Sequence, residues 1–167
     1  PFGQTAITLR FRVPIFIARQ LMRSNVGIVW NEESRRYVDD TPEFHVPAVF
    51  RSKAASMKQG SGGPVDRADN VRAQHLFLEA CIDARDTYTV LLEMGIAPEQ
   101  ARAALPVATY TTIMATFNLS SLARVYLLRS GPHAQAEIRE LAACIDQAVR
   151  SLGVFAVAWG ALTKESE

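Results

Sequence analysis

Hydrophobic and polar side chains alternate near the start of the chain. Apolar residues occupy every second position from Ile7 to Val13, and polar or charged residues lie between them. Because successive side chains of a strand point to opposite faces of a sheet, this pattern predicts a half-buried strand from Thr5 to Val13. Pro14 suits both the end of that strand and the first turn of a helix, which the apolar spacing predicts over Ile15 to Arg23.

Further elements follow from apolar spacing and from residues that begin or end helices. The spacing predicts a long helix from Asp66 to Glu93 that Gly95 ends, and a helix from Leu119 to Leu128 that Asn118 caps. The other predicted helices are Pro98–Ala104 and Pro132–Leu152, the extended segments are Val26–Trp30, Phe44–Pro47 and Tyr110–Phe117, and Val154–Leu162 is helical or extended. Few strands and long helices predict an α+β fold, with a small sheet and a helical layer in a single domain over residues 1–167.

The segment from Arg51 to Pro64 differs from the rest of the chain in its high content of serine, lysine and glycine. It includes the run Gly60-Ser-Gly-Gly-Pro64, which favours turns over regular elements. A loop of this composition either covers a binding site or lies idle on the surface. Both interpretations stay open at this stage.

The composition is typical of one globular domain, because 49% of the 167 residues are hydrophobic and 21% are charged. Eighteen basic residues nearly balance 17 acidic ones, which argues against a protein that coats nucleic acid. The chain has no long apolar run, so we expect a cytoplasmic protein that does not bind a membrane. Cys81 and Cys144 stand alone in apolar helical patterns and are predicted to fill the core.

A dense polar cluster lies between Ala18 and Tyr37. It contains four arginines, two glutamates, two asparagines, two serines and a glutamine. Arginine binds phosphate or carboxylate through two parallel hydrogen bonds, so the cluster indicates a binding site for an anion. Smaller polar groups occur at Arg102, at Asn118 with Ser120 and Arg124, and at Arg129 with His133. A solvated surface explains any one of these groups taken alone.

Several well-known catalytic arrangements are missing from the sequence. The three histidines lie far apart and lack HxxxH spacing, so no metal site is predicted. The chain also has no GxSxG nucleophile motif, no P-loop and no GxGxxG motif. Candidate nucleophiles are therefore few, and the arginine-rich cluster is the main indication of function in the sequence.

The polar cluster resembles a motif of the flavin-dependent thymidylate synthases (ThyX). The matching frame is Phe16-x-x-Arg-Gln20, then Arg23, then Asn31-Glu-x-Ser-x-Arg-Tyr37. The family carries an Arg-His-Arg triplet followed, after seven or eight residues, by a serine, and eight residues separate Asn25 from Ser34 here. The likeness continues in order through residues 101–106, 118–129 and 133–138, so it covers nearly the whole chain.

This resemblance implies an enzyme, a methyltransferase that converts dUMP to dTMP. Methylenetetrahydrofolate would donate the carbon, and FAD reduced by NADPH would supply the hydride. The family forms homotetramers whose active sites lie at subunit interfaces, and its fold has a small, mostly antiparallel sheet packed with long helices. No side chain attacks the uracil covalently in the usual account, so activation is electrostatic, in agreement with a chain rich in arginine.

The resemblance also assigns residues to the two expected ligands. Positions that match the family's dUMP site are Gln20, Arg23, Glu32, Glu33, Ser34, Arg35, Arg36, Arg102 and Arg129. Positions that match its FAD site are Arg23, Ser24, Asn25, Glu32, Asn118, Ser120 and Arg124. Arg129 is the expected catalytic residue, because it would lie against the pyrimidine and favour ionisation at N3. Arg102 and the turn from Ser34 to Arg36 suit the phosphate.

Three positions depart from the family pattern. Ser24 and Asn25 replace the usual histidine and second arginine, and Ser120 replaces an arginine. Arg124 lies one helical turn beyond Ser120, so we expect it to supply the missing charge to the flavin. The family also has an upstream strand and helix, and we expect that this segment is missing from the chain.

Two other functions compete with the enzyme. One is a degenerate relative that binds nucleotide or flavin without turnover, which the three departures would explain. The other is an arginine-rich RNA-binding module, which the near-neutral charge balance and the lack of stacked aromatic residues disfavour.

Overall fold

The computed structural model describes residues 1–37, 40–54 and 60–164. Three strands form one antiparallel sheet, with β3 in the centre, β1 on one side and β2 on the other. The strands are β1 (Ile7–Pro14), β2 (Ile28–Glu32) and β3 (Tyr110–Phe117). Ile7 and Ile28 both pair with Phe117, so the two outer strands begin level with the end of the central strand.

Six helices accompany the sheet in the described part of the chain. They are α1 (Ile15–Leu21), α2 (Arg67–Glu93), α3 (Pro98–Ala101), α4 (Leu119–Ser130), α5 (Ala136–Ser151) and α6 (Ala156–Leu162). Short 3₁₀ turns occur at Phe2–Gln4 and Arg102–Ala104. The expected α+β fold with a small antiparallel sheet is confirmed.

The core lies between the sheet and helices α1, α4, α5 and α6. Phe117, Ile113 and Leu122 are almost completely buried there, together with Trp159 of α6. Burying a side chain of this size contributes about 1.5–3 kcal/mol to folding. The Trp159 indole also donates a 2.7 Å hydrogen bond to Asp146 Oδ1, which satisfies its only polar group.

The local signals read from the sequence are confirmed where hydrophobic pattern and capping agree. Phe11 is buried on β1, whereas Arg10 and Arg12 are exposed. The Asp66 side chain accepts from the Asp69 N–H at the start of α2, and the Asn118 side chain accepts from Ser121 N–H at the start of α4. Gly95 has φ +79° where α2 ends, a conformation that glycine adopts without strain.

Several predicted boundaries are wrong. The helix expected from Pro132 begins at Ala136, because Gly131 to Ala134 form a turn in which the Ala134 N–H bonds to the Gly131 carbonyl. α1 ends at Leu21. β2 begins at Ile28, because Gly27 still belongs to the preceding turn with φ +73°. The segment Phe44–Pro47 makes a single bridge, between Phe44 and Thr109, instead of a strand.

The prediction for the cysteines is half correct. Cys81 is buried, and burial raises the pKa of its thiol. Cys144 is exposed, so its assignment to the core is wrong. The buried stripe of α5 consists of Ile138, Ala142, Ile145 and Val149. Cys144 precedes Ile145 by one residue, which rotates its side chain about 100° away from that stripe.

Helix α2 leaves much of its apolar surface uncovered. Only Cys81 and Tyr88 are buried along its 27 residues, and Val71, Leu76 and Val90 are about half exposed or more. None of the described helices combines the length and apolar character that crossing a bilayer requires. The loop predicted from Arg51 to Pro64 lies partly outside the described residues, which omit 55–59; its two ends meet in a bridge between Arg51 and Pro64.

Candidate functional site

A cavity of about 750 Å³ lies where the end of α1 meets the end of α4 and the turn before α5. We call it the arginine cavity. Its polar lining comes from Arg19, Gln20, Arg23, Arg129, His133 and Gln135. None of its described lining residues is a carboxylate, so the cavity has a positive potential that favours an anionic or electron-rich ligand.

Arg129 is the best-defined charge in this cavity. It stands in the last turn of α4, where Nη2 donates a hydrogen bond to the Gln20 carbonyl. Burial, and then the nearby charge of Arg23, lower the pKa of Arg129. Its buried Nε has no hydrogen-bond partner among the described residues. A partly desolvated guanidinium of this kind stabilises negative charge more strongly than an exposed one does.

A second cavity, about 350 Å³, lies beside β2 and the 3₁₀ turn at Arg102. We call it the serine pocket, and its polar lining includes Glu32, Glu33, Ser34, Arg35 and Arg102. Arg102 Nη1 donates to Ser34 Oγ at 3.2 Å, and Thr111 Oγ1 donates to Glu32 Oε1 at 2.9 Å. The pocket therefore presents a hydroxyl and two guanidinium groups close together, the donor set that binds phosphate.

The two arginines that follow Ser34 have different environments. Arg35 pairs with Asp40 at 3.0 Å, keeps only 17% of its side chain exposed and has a buried Nε without a described partner. Arg36 instead pairs with Glu99 at 3.2 Å and contributes no lining to either cavity. The structure thus places Arg35 at the serine pocket and Arg36 outside it.

A third, smaller cavity of about 190 Å³ lies beside the start of β2. Arg23, Ser24, Asn25 and Arg124 contribute its polar lining together with Ser121. Arg124 Nη2 donates to the Val26 carbonyl at 3.1 Å, so the guanidinium lies over the turn that holds Ser24 and Asn25. We call this the Arg124 cavity. Arg23 lines both this cavity and the arginine cavity.

Asn118 and Ser120 are committed to local structure at the start of α4. Ser120 Oγ donates to Asn118 Oδ1 at 3.0 Å, and the same oxygen accepts the Ser121 N–H. Ser121 is a residue that the sequence reasoning missed: its hydroxyl bonds to the Gly27 carbonyl at 2.9 Å and fixes the turn before β2. A buried hydroxyl that bonds to a backbone carbonyl 94 positions away produces no pattern by which the sequence could reveal it.

The predicted nucleotide residues divide between two cavities within one chain. Gln20, Arg23 and Arg129 line the arginine cavity, whereas Glu32, Glu33, Ser34, Arg35 and Arg102 line the serine pocket. No described residue lines both. Arg19, His133 and Gln135 are further lining residues outside the predicted set. Arg19 could have been found from its position one helical turn before Arg23.

The chain is similar to known proteins over most of its length. The family model described as "Thymidylate synthase complementing protein" matches residues 1–152. A flavin-dependent thymidylate synthase of Thermosipho africanus is 36% identical over 142 residues, which make up 85% of this chain and 62% of that protein. The enzyme of the same description from Anaplasma marginale is 37% identical over 152 residues, 90% of this chain and 52% of that protein. The chain thus spans between half and two thirds of these relatives.

Solved structures extend the likeness to the fold. A UMP/dUMP methylase, PolB from Streptomyces cacaoi bound with 5-Br UMP, superposes with a TM-score of 0.85 and 33% identity, covering 100% of this chain and 78% of that one. The same protein bound with 5-Br dUMP gives a TM-score of 0.82 and 34% identity, covering 96% of this chain and 73% of that one. With a family match over most of its length and relatives above 30% identity, the chain belongs to the thymidylate synthase complementing protein family, that of the flavin-dependent thymidylate synthases.

Proposed function

We propose that the protein is a methyltransferase, a flavin-dependent thymidylate synthase that converts dUMP to dTMP. Methylenetetrahydrofolate is the proposed carbon donor, and FAD reduced by NADPH is the proposed source of hydride. The observation that carries this proposal is the partly buried Arg129, beside the charge of Arg23, in a cavity whose described lining contains no carboxylate. Such a site stabilises the negative charge that develops on the uracil ring during methylation.

The nucleotide is proposed to bind through both ends. The serine pocket would hold the phosphate through the Ser34 hydroxyl and the guanidinium groups of Arg35 and Arg102, which lie together there. Hydrogen bonds from charged donors to phosphate contribute about 1.5–3 kcal/mol each. The uracil would lie in the arginine cavity, where the guanidinium of Arg129 favours the anionic form of the ring at N3.

The two ends of the nucleotide are assigned to separate cavities, which supports a binding site shared between two subunits. Because no described residue lines both cavities, we propose that the serine pocket of one subunit and the arginine cavity of another complete the binding site. The exposed apolar residues of α2, including Val71, Leu76 and Val90, supply a surface that a further subunit would cover. A homotetramer, as in the family's usual assembly, satisfies both requirements.

The residues around the Arg124 cavity fit the pyrophosphate of an FAD. Arg23 and Arg124 present two guanidinium groups beside Ser24 and Asn25, a donor set suited to a pyrophosphate. Asn118 and Ser120 lie at the nearby start of α4. FAD, when bound, supplies the hydride that reduces the transferred carbon to a methyl group. The contribution of this chain is to hold the cofactor next to Arg129, since Arg23 lines both cavities.

UMP is a second candidate substrate. The structural relative that covers 100% of this chain is a UMP/dUMP methylase bound with 5-Br UMP. A site of this fold therefore accommodates a ribonucleotide, and we propose that UMP competes with dUMP here. The two nucleotides differ only by the 2′-hydroxyl, so relative turnover decides between them.

The deciding experiment measures tritium release from dUMP labelled at uracil C5, because methylation replaces the hydrogen at that carbon. The purified protein is expected to be yellow with bound flavin, and to release tritium only when NADPH and methylenetetrahydrofolate are both present. Arg129→Ala should abolish release, whereas Arg72→Ala, at an exposed position of α2, should not. Bound flavin with no release would leave a degenerate binding protein, and labelled UMP in a parallel assay ranks the two substrates.

A further inference from the structure

Gln135 connects the start of α5 to the guanidinium of Arg129 through one intermediate residue. The Gln20 side-chain Nε2 donates to Gln135 Oε1, and the Gln20 carbonyl in turn accepts from Arg129 Nη2. All three residues line the arginine cavity. Gln135 occupies the N-cap position of α5 but makes no capping hydrogen bond with its side chain, so its amide is free for this contact.

Arg129 makes one side-chain hydrogen bond to a described residue, the one to the Gln20 carbonyl. Its Nε is buried without a described partner, and the charge of Arg23 lies close enough to oppose its own. The Gln20 carbonyl lies in the last turn of α1, where helix carbonyls lack partners within the helix and attract cations. A shift of the Gln20 backbone would therefore remove the hydrogen bond of the Arg129 guanidinium and leave it repelled by the charge of Arg23.

Glu137 lies in the first turn of α5, two residues after Gln135. Its two carboxylate oxygens accept hydrogen bonds of 2.8 and 2.9 Å from Arg51 Nη2, and only 13% of the side chain is exposed. Burial alone would raise the pKa of Glu137, but hydrogen bonds from its own backbone N–H, Arg51 and Gln135 lower it below the ordinary value. The carboxylate is therefore charged at neutral pH.

Arg51 also keeps the charge of Glu137 from acting on the cavity. The guanidinium of Arg51 neutralises the carboxylate, and its Nε donates to Ser61 Oγ at 2.8 Å. An unpaired carboxylate two residues from Gln135 would compete for the guanidinium groups of Arg23 and Arg129. The ion pair thus keeps the charge of Glu137 from lowering the positive potential of the arginine cavity.

We propose that Gln135 is a positioning residue for Arg129. Gln135 holds the Gln20 side chain, and the Gln20 carbonyl holds the guanidinium toward the bound base. This inference rests on the proposed function, because it assigns the base of dUMP to the arginine cavity. It adds one residue, and the proposed effect of that residue on dUMP binding passes through Arg129.

The test measures the Kd of dUMP by calorimetry on the FAD-loaded protein. Gln135→Met keeps the size of the side chain but removes the acceptor, and we expect it to weaken binding about fivefold, the effect of one net hydrogen bond. Glu140→Gln, at an exposed position of the same helix, is the matched control and should bind as the wild type does.

A double variant separates positioning from a general structural role. In an Arg129→Ala background, adding Gln135→Met should change the Kd of dUMP by less than about twofold, since residues that act through one another are not additive. Equal fivefold losses in both backgrounds, or no loss in the wild-type background, would overturn the inference. Gln135→Asn, which shortens the amide, replaces Gln135→Met if the latter does not fold. A wild-type protein that fails to bind dUMP would instead overturn the proposed function, and this inference with it.

Discussion

Arg102 and Ser34 lie 68 positions apart in the sequence, yet Arg102 Nη1 donates a 3.2 Å hydrogen bond to the Ser34 hydroxyl. The contact joins the 3₁₀ turn after α3 to the segment after β2. Arg102 pairs with no carboxylate among the described residues, so its guanidinium has donors left for a ligand. Ser34 Oγ also accepts the Arg36 N–H at 3.3 Å, which leaves its O–H to donate to a ligand. Arg35 lies beside them in the serine pocket, so we expect this pocket to hold the phosphate.

Arg102→Ala is expected to weaken dUMP binding by about 10- to 100-fold, the range for loss of one charge-assisted phosphate contact. Titration calorimetry at low ionic strength measures this change directly. The affinity should also become less dependent on salt, because one cation no longer contributes. Arg67→Ala, at an exposed position of α2, serves as the control. Wild-type dUMP affinity in the Arg102→Ala protein would mean that the phosphate does not bind in the serine pocket.

Mixing Arg102→Ala and Arg129→Ala proteins, at a dUMP concentration too low for either to turn over alone, tests whether the site is shared between subunits. Arg102→Ala damages the serine pocket and Arg129→Ala damages the arginine cavity, so a site built from two subunits is intact when neither damaged half contributes. Random assembly of an equal mixture should restore about one quarter of the wild-type turnover. The two variants are unfolded together and refolded before tritium release is measured. A mixture as inactive as its components would mean that each chain supplies a complete site.

The sequence predicts the fold where pattern and capping act within a few residues. The alternation around Phe11 and the cap at Asn118 are local, and the structure confirms both. Cys144 shows the limit, since one residue of rotation on α5 separates a buried position from an exposed one. The start of α5 was placed too early because Pro132 opens a turn there as readily as a helix.

The sequence assigns residues to the candidate site but does not indicate that they divide between two cavities. Resemblance assigns Gln20, Arg102 and Arg129 to one nucleotide, and nothing in their order along the chain indicates that two separate cavities hold them. The division depends on the tertiary fold, which places the end of α4 at one cavity and β2 at the other. The role proposed for Gln135 was likewise hidden, because the contact with Gln20 spans 115 positions.

Arg124 is expected to replace the arginine that the family carries at the position of Ser120. Arg124→Ala should raise the Kd of FAD about tenfold, which fluorescence titration of the apoprotein with FAD would measure. Restoring an arginine with Ser120→Arg in the Arg124→Ala protein should recover most of the affinity, because positions four apart on a helix overlie one another. Arg139→Ala, exposed on α5, is the control. Unchanged flavin affinity in the Arg124→Ala protein would exclude this role.

Asp146 should make the stability of the protein depend on pH. The hydrogen bond from Arg150 lowers the pKa of Asp146; burial opposes this shift, and the Trp159 indole adds to it. A carboxyl whose pKa is lower in the folded state stabilises that state above the pKa of the unfolded chain, and the stabilisation is lost as pH falls through the folded value. Asp146→Asn should therefore reduce the free energy of unfolding by about 1–2 kcal/mol near neutral pH.

The difference between Asp146→Asn and the wild type should shrink as the pH falls from neutral to below the ordinary aspartate pKa of about 3.9, and should disappear once the wild-type carboxyl is protonated. Urea unfolding followed by tryptophan fluorescence at both pH values measures the two free energies. Asp83→Asn, at an exposed position of α2, should leave stability unchanged throughout. A deficit that stays constant with pH would mean that shape and the Trp159 hydrogen bond account for the contribution, because a loss of charge must disappear when the wild-type carboxyl is protonated.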